Sequence, residues 1–230
     1  MRLLIVSVVM FACMMSAGCR DTVAAPARDF NELIPRLMRP VNTYNDPVTA
    51  AENLFNVTSP DERRDAIAYL STKPYGHDSA YMKAYYLLTT DPHAMVRGQA
   101  MRALGASQKS DAIPYLIKGL GDAESQVRRD AARGLMDTYD DSAITALADR
   151  MLKDSDDQTR VACAKALKQA KTPEAYRALI EALSDPNAAV VVNAHKALTA
   201  NTGQTLGHNP RPWLEWYQQT HVKTAAPPTP

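Results

Sequence analysis

The sequence repeats itself at a fixed interval. The segment Val-Arg-Gly-Gln-Ala at 96–100 returns 31 residues later as Val-Arg-Arg-Asp-Ala at 127–131, and the same frame continues at 159–163 and 190–194. An aspartate precedes each segment by five residues, and a leucine follows each by four. A repeat of this length is typical of a solenoid, in which each unit contacts only its neighbours. We therefore expect one structural unit stacked on copies of itself.

Each regular unit has the pattern of two helices. The first is rich in alanine, and the second carries larger apolar residues at i, i+3, i+4 and i+7. Thr172-Pro173 is a typical start of a second helix, and Asp111 and Asp141 are further start signals. The pattern predicts an all-α fold, an α-α superhelix of about four to five helix pairs. The apolar positions of the second helices are Ile113, Leu116, Ile117 and Leu120, then Ile144, Leu147, Ala148 and Met151, then Tyr176, Leu179, Ile180 and Leu183.

The two ends of the repeat region depart from the regular pattern. A degenerate repeat at 59–88 carries three extra residues, and Asp46-Pro47 predicts an earlier helix with Val48, Ala51, Leu54 and Phe55 on one face. At the other end, Pro212 opens a helix that places Trp213, Trp216 and Tyr217 on one side. These aromatic residues either cover the last alanine-rich helix or anchor a partner.

The N-terminus has the pattern of an export signal. Arg2 precedes an apolar run from Leu3 to Met15, and Ser16-Ala17-Gly18-Cys19 follows. This resembles a bacterial lipoprotein signal, which implies lipidation of Cys19, although Ser16 stands where an aliphatic residue is usual. Ordinary secretory cleavage after Gly18 stays open, whereas thirteen apolar residues span only about 20 Å, which is short for a transmembrane helix. Either cleavage predicts that the protein leaves the cytoplasm, and lipidation would anchor it in the cell envelope on the periplasmic side of a membrane.

The pattern divides the chain into four parts: a signal peptide at 1–18, a proline-interrupted tether at 19–45, the repeat domain at 46–217 and a disordered tail at 218–230. Cys13 lies in the signal and Cys19 would carry the lipid, which leaves Cys163 as the one remaining cysteine. It occupies the position filled by alanine in the other repeats, so we expect a buried side chain.

The charge is nearly balanced, with 26 Lys and Arg against 25 Asp and Glu. We expect charges that alternate in sign along every helix, and therefore no basic stripe and no nucleic-acid binding.

The stretch from Asp91 to Gly105, Asp-x-x-x-x-Val-Arg-x-x-Ala-x-x-Ala-Leu-Gly, resembles the HEAT repeat of the PBS-lyase type, and Asp122 to Leu135 repeats it closely. The resemblance covers about 59–217. It implies that the repeated Asp and Arg residues bridge turns and adjacent repeats as a structural ladder. Within it we expect Arg128 to pair with Asp122. The ladder residues are Asp91, Arg97, Asp122, Arg128, Asp154, Arg160 and Asp185.

Motifs for chemistry are lacking in the sequence. HEAT-type hydroxylases hold two irons with repeated His-Glu dipeptides, and this chain has none. No histidine pair stands at i, i+4, and no phosphate-binding or nucleophile-elbow motif occurs. The sequence therefore indicates a non-enzymatic protein with no cofactor, no metal and no small-molecule substrate.

The remaining hypothesis is a binding scaffold. Stacked helix pairs usually present their second helices as a groove. We predict a lipid-anchored scaffold for another envelope protein, in contact with the membrane through the lipid alone. A HEAT-type hydroxylase or lyase-like enzyme and a self-associating structural protein are the alternatives. The candidate partner-binding residues are Tyr115, Lys118, Arg150, Arg177, Trp213 and Trp216.

Overall fold

The structure is a computed structural model that describes residues 46–222. Within this range the chain forms eleven α-helices and no strand, which confirms the predicted all-α superhelix. One helix stands before five consecutive helix pairs. The helices are α1 (Pro47–Asn53), then the pairs α2 (Pro60–Ser71) with α3 (Ser79–Leu88), α4 (Ala94–Ala106) with α5 (Ile113–Gly119), α6 (Ser125–Asp137) with α7 (Ile144–Lys153), α8 (Asp157–Ala166) with α9 (Pro173–Ala182), and α10 (Ala188–Thr202) with α11 (Pro210–Tyr217).

Helix starts follow the local sequence. Asp46 accepts hydrogen bonds from the Val48 and Thr49 N–H groups, and Thr172 accepts one from Ala175 N–H, so both act as N-caps before a proline. The starts predicted at Asp111 and Asp141 differ in detail. Both residues lie in short 3-10 helices, Ser110–Ala112 and Asp141–Ala143, which lead into α5 and α7. In the first repeat the extra residues form a further 3-10 helix, Pro74–His77.

The buried face of α1 differs from the predicted one. Ala50 and Leu54 are buried, whereas Val48 and Phe55 are exposed. The helix is only seven residues long and ends before Leu54, so the periodicity extended over 48–55 does not describe it.

The core is continuous through the five helix pairs. All the predicted apolar positions of the second helices are buried except Ile117, which is partly buried. The first helices pack directly on one another because their contact residues are small. A Cβ atom on Gly105 of α4 would lie 2.4 Å from the Cα of Gly134 on α6. Cys163 on α8 takes the position of Ala100 and Ala131 and is fully buried, which raises the pKa of its thiol to about 12.

The C-terminal pair closes differently. Gly203 ends α10 in the left-handed conformation, with φ of 71°, and its N–H donates to the Thr199 carbonyl. Residues 218–222, assigned from the sequence to the disordered tail, form a π-helical turn in which the ring of His221 stacks on Tyr217. The ordered part therefore extends past the predicted boundary at 218.

The signal, Cys19 and the tether lie outside the described residues. Within residues 46–222, no helix has the length and apolar character needed to cross a bilayer.

Candidate functional site

Four Arg–Asp pairs connect successive repeats along one edge of the helix stack. In each pair, an arginine at the start of a first helix donates two hydrogen bonds to an aspartate in the turn that precedes the next repeat. The shortest N–O distances are 2.8 Å for Arg63–Asp91, 2.7 Å for Arg97–Asp122, 2.7 Å for Arg128–Asp154 and 2.8 Å for Arg160–Asp185. Such two-point pairing fixes both the spacing and the orientation of adjacent repeats.

Each arginine also donates to the backbone of its own repeat. Arg97 Nη1 lies 2.9 Å from the Asp91 carbonyl oxygen, and Arg128 Nη1 lies 2.9 Å from the Asp122 carbonyl oxygen. The expected pairing of Arg128 with the Asp122 carboxylate is therefore wrong, because its carboxylate partner is Asp154 of the next repeat. Arg128 thus binds the aspartate of the following repeat through Nε and Nη2, and only Nη1 donates to the backbone of its own repeat.

The aspartates also organise the turns in which they lie. Asp122 Oδ1 accepts the Glu124 N–H, and Asp154 Oδ1 accepts the Asp156 N–H. Burial acts to raise the pKa of both carboxyls, but the hydrogen bonds from arginine and backbone outweigh it and hold each pKa below the ordinary value. Both groups are thus ionised in the folded protein at neutral pH.

A cleft of about 470 Å³ lies beside the Arg97–Asp122 pair. We call it the tyrosine pocket. It lies where the C-terminal ends of α3 and α5 meet the turns that follow them. Its lining residues are Thr89, Thr90, Asp91, Pro92, Arg97, Met101, Tyr115, Lys118, Gly119, Gly121 and Asp122.

One aromatic residue, Tyr115, lines this pocket, and a second ring supports it from outside the lining. Tyr115 stacks on Tyr86 of α3, with ring centroids 4.3 Å apart and ring planes within 12° of parallel. Tyr115 remains 37% exposed, and the neighbouring Leu87 is also exposed. Burial raises the pKa of Tyr86, as do the negative charge of Asp111 and the nearby Tyr115, so its hydroxyl stays neutral and able to donate.

Lys118 supplies the uncompensated charge of the pocket. Arg97 is engaged by Asp122 and by the carbonyl oxygens of Asp91 and Pro92. Asp91 is likewise engaged by Arg63. Lys118 is exposed and makes no hydrogen bond or ion pair with the part of the chain that the structure describes. The pocket therefore presents one free ammonium group beside an aromatic surface.

The other predicted partner residues lie away from this pocket. Arg150 on α7 is half-buried near Asp154. Arg177 on α9 is exposed, two repeats after the α5 helix that lines the pocket. The assignment of Trp213 to partner binding is wrong. Its side chain is 0% exposed, and its indole N–H donates to the Gly207 carbonyl oxygen at 2.7 Å.

Trp216 belongs to a cluster of aromatic rings that we call the aromatic cap. It is half-buried, with its ring edge-on to Tyr176 at 5.6 Å and to Trp213 at 6.1 Å. The ring of His221 lies 5.3 Å away. The cluster covers the final helix pair, where no further repeat follows in the described chain. Its members are Tyr176, Trp213, Trp216, Tyr217 and His221.

Two histidines lie next to this cap. The rings of His195 on α10 and His208 are 4.2 Å apart, and burial together with His208 lowers the pKa of His195. Among residues 46–222, no three His, Cys, Asp or Glu side chains come together in an arrangement that could hold a metal ion.

Sequence reasoning did not single out two members of this site. Arg63 forms the first Arg–Asp pair; the degenerate repeat aligns it with Arg97 at an offset of 34 residues, but it was not included in the expected ladder. Tyr86 faces Tyr115 from the preceding repeat, and no periodic signal marks that contact.

Consecutive helix pairs, packed through small first-helix residues and joined by Arg–Asp pairs, define an α-solenoid. The family of HEAT repeats matches residues 82–162 and 144–206. Together these matches run from 82 to 206, more than half of the 230-residue chain. The chain therefore belongs to the HEAT repeat family, as the repeated motif predicted.

Solved structures share the fold at low sequence identity. The complex of CpcE and CpcF of phycocyanin lyase from Nostoc sp. PCC7120 matches with a TM-score of 0.61 and 21% identity, over 91% of this chain and 77% of the other. An engineered protein matches with a TM-score of 0.53 and 22% identity, over 68% of this chain and 79% of the other. No curated protein sequence matches the chain.

Proposed function

We propose that this protein is a non-enzymatic scaffold that binds a segment of another protein at the tyrosine pocket. The observation that carries the proposal is the pocket itself, an open cleft lined by Tyr115, whose ring stacks on Tyr86 behind it, and by the free Lys118. Exposed aromatic residues beside polar groups are the usual anchors of protein interfaces. A cleft of this size accepts one or two partner side chains.

The charges favour an acidic segment. Because Arg97 is paired with Asp122 and the Asp91 carboxylate is paired with Arg63, Lys118 is the charge that a ligand would meet first. A partner carboxylate would pair with this ammonium group, while an apolar side chain of the partner would cover the faces of Tyr115 and Leu87. Complementarity of this kind contributes to specificity as well as affinity.

The comparisons support a binding role at the level of the fold. HEAT repeats are scaffolds built by stacking, and CpcE and CpcF are two chains that form a complex. Lyase or hydroxylase activity is the rival function. Stoichiometric iron in the purified protein, or covalent transfer of a bilin to an acceptor protein, would favour that rival.

A crosslinking experiment tests the pocket. A photoreactive residue at position 115 is expected to give one discrete crosslinked species in intact cells, and Tyr86→Ala in the same chain is expected to weaken it. The matched control is the same photoreactive residue at position 181, an exposed site on α9. Equal crosslinking from both positions would reject the pocket as the binding site. A crosslink to a second copy of this chain would favour self-association instead.

We propose further that the protein is exported and anchored through lipid on Cys19. The small-residue sequence before Cys19 supports this, as does the apolar run that precedes it. Globomycin blocks lipoprotein processing, so the unprocessed precursor is expected to accumulate in treated cells. Cys19→Ala is expected to release the protein from the membrane fraction. Unchanged processing and fractionation would reject the anchor.

A further inference from the structure

Four cations occupy one repeat position on the face formed by the first helices. The position lies two residues after the buried Ala or Cys of each regular repeat, and all four side chains are exposed. We call this set the cation column. Because the first helices of neighbouring repeats pack side by side, the column places one cation about every 10 Å along the stack. Its members are Arg102 on α4, Arg133 on α6, Lys165 on α8 and Lys196 on α10.

A buried carboxylate fixes the two arginines. Asp130 on α6 is 0% exposed, and its two oxygens lie 3.0 Å from Arg102 Nη2 and 3.3 Å from Arg133 Nη1. Space for this carboxylate comes from Gly98, where a Cβ atom would lie 2.9 Å from Asp130 Oδ2. The arginine side chains are 50% and 59% exposed. The carboxylate therefore holds both guanidinium groups at the surface.

The two lysines are free. Lys165 and Lys196 make no hydrogen bond or ion pair with any described residue. Lys168, just after α8, adds another exposed cation to this face. The nearby carboxylates are the engaged Asp130 and the exposed Asp137.

The expectation that charges alternate in sign along every helix is wrong, because α4 and α10 contain no Asp or Glu. A stripe that recurs once per repeat is spread over more than 90 residues of sequence, so no single helix reveals it.

The surroundings of the column favour a lipid surface as the partner. Apart from Lys168 and Asp137, the exposed side chains beside the cations are small or uncharged, including Ala106, Gln169 and Ala200, so this face offers no aromatic platform of the kind that binds single-stranded nucleic acid. An anionic leaflet requires only an exposed array of cations. Each lysine or arginine near such a leaflet increases partitioning by about fivefold.

We propose that the cation column docks the repeat domain on an anionic phospholipid surface. This is a membrane contact beyond the lipid anchor, and it leaves the tyrosine pocket, which lies at the ends of the second helices, available to a partner. It rests on the proposed function only in the expectation of export, which favours lipid over nucleic acid. The tether at 19–45 has 27 residues and spans at most about 90 Å, so an anchored domain would stay within reach of the leaflet and rebind readily.

Vesicle binding tests the proposal on the chain from residue 19 with Cys19→Ser, which carries neither signal nor lipid. We expect sedimentation with vesicles of equal phosphatidylglycerol and phosphatidylcholine, no sedimentation with phosphatidylcholine alone, and loss of binding when salt rises from about 50 to about 300 mM. Lys165→Gln with Lys196→Gln is expected to weaken binding by about twenty-fivefold, and Ala200→Lys to strengthen it by about fivefold.

The matched control removes two exposed lysines elsewhere, with Lys83→Gln on α3 and Lys171→Gln before α9. An equal loss in this control would reject the column, because net charge alone would then explain the binding. Equal binding to neutral vesicles would also reject it, and so would tighter binding to duplex DNA than to anionic vesicles. Far-UV circular dichroism checks that each variant keeps its helices. Since no partner protein is present, failure here leaves the proposed pocket function untouched.

Discussion

The central repeats and the C-terminal cap both bury apolar helix faces, the first with small residues and the second with large aromatic rings. In the central repeats, glycine and alanine let the first helices approach closely, and Arg–Asp pairs fix the register. At the end of the stack, Val191 replaces the arginine and large rings cover the last helices. The difference indicates that a repeat with a following neighbour can rely on precise backbone contact, whereas the last repeat must enclose its own apolar face.

The largest expected effect tests the cap. Trp213→Ala removes a fully buried indole and its hydrogen bond to Gly207, and it should lower the free energy of unfolding by about 4 kcal/mol. Hydrogen exchange should show the loss confined to α10 and α11, because solenoid stability is local. Trp216→Ala is the control and should cost less, since Trp216 is half-exposed. Uniform loss of protection from α4 to α11 would contradict the comparison.

The second prediction tests an Arg–Asp pair. Arg128→Ala should cost about 3 kcal/mol, because it leaves the buried Asp154 carboxylate without its partner. Arg128→Met with Asp154→Leu should recover most of this loss, since both charges are then removed. Denaturant unfolding followed by circular dichroism measures both. A double variant as unstable as Arg128→Ala would show that the pair matters for more than an uncompensated charge.

A smaller effect is expected where the first helices meet. Gly105→Ala should cost about 2 kcal/mol, because the new methyl group would overlap the backbone of Gly134 unless α4 and α6 separate. Gly121→Ala is the control, with its nearest neighbour, the Lys118 carbonyl oxygen, at 3.3 Å. The thermal midpoints of the two variants provide the measurement. Equal midpoints would mean that the close approach is not needed.

The smallest expected effects are on the pH dependence of stability, which should differ between the Arg–Asp pairs and the aromatic cap. The folded-state pKa values of Asp122 and Asp154 are lowered, so their contribution is present above the ordinary carboxyl pKa near 4 and is lost as pH falls through the lowered values. The pKa of His195 is also lowered in the folded state, so as pH falls His195 is protonated in the unfolded chain before it is protonated in the folded protein. The cap should therefore lose stability as pH falls from about 6.5.

Both tryptophans lie in α11, so intrinsic fluorescence reports the cap while far-UV circular dichroism reports mainly the repeats. We expect the thermal transition followed by fluorescence to shift to lower temperature at a higher pH than the transition followed by circular dichroism. His195→Gln should remove the upper shift alone. Coincident shifts in the wild-type protein would contradict separate titration of cap and ladder.

The sequence predicted the features that recur with every repeat. The apolar positions of the second helices and the family follow from the period, because stacking places the same demand on each unit. Contacts between repeats were harder to predict from the sequence. The stacking of Tyr86 on Tyr115 and the shared carboxylate of Asp130 depend on how two units are rotated against each other, which a one-dimensional pattern does not contain.

In the candidate site, too, the positions set by the helix period were predicted and the contacts made by loops were not. Tyr115 and Lys118 were predicted because they lie off the apolar stripe, and they line one pocket. The sequence left Trp213 two roles, covering the last helix or anchoring a partner, and its burial favours the first; the helix face alone could not decide because the loop that covers Trp213 was not known.

The forward reach of each arginine gives the stack a direction. Every internal unit offers an arginine to its successor and an aspartate to its predecessor, so an inserted duplicate of residues 122–153 would find a matching group on both sides. A unit appended after residue 217 would not, because Val191 has no guanidinium to offer. The array can therefore lengthen from within while its terminus stays closed to growth.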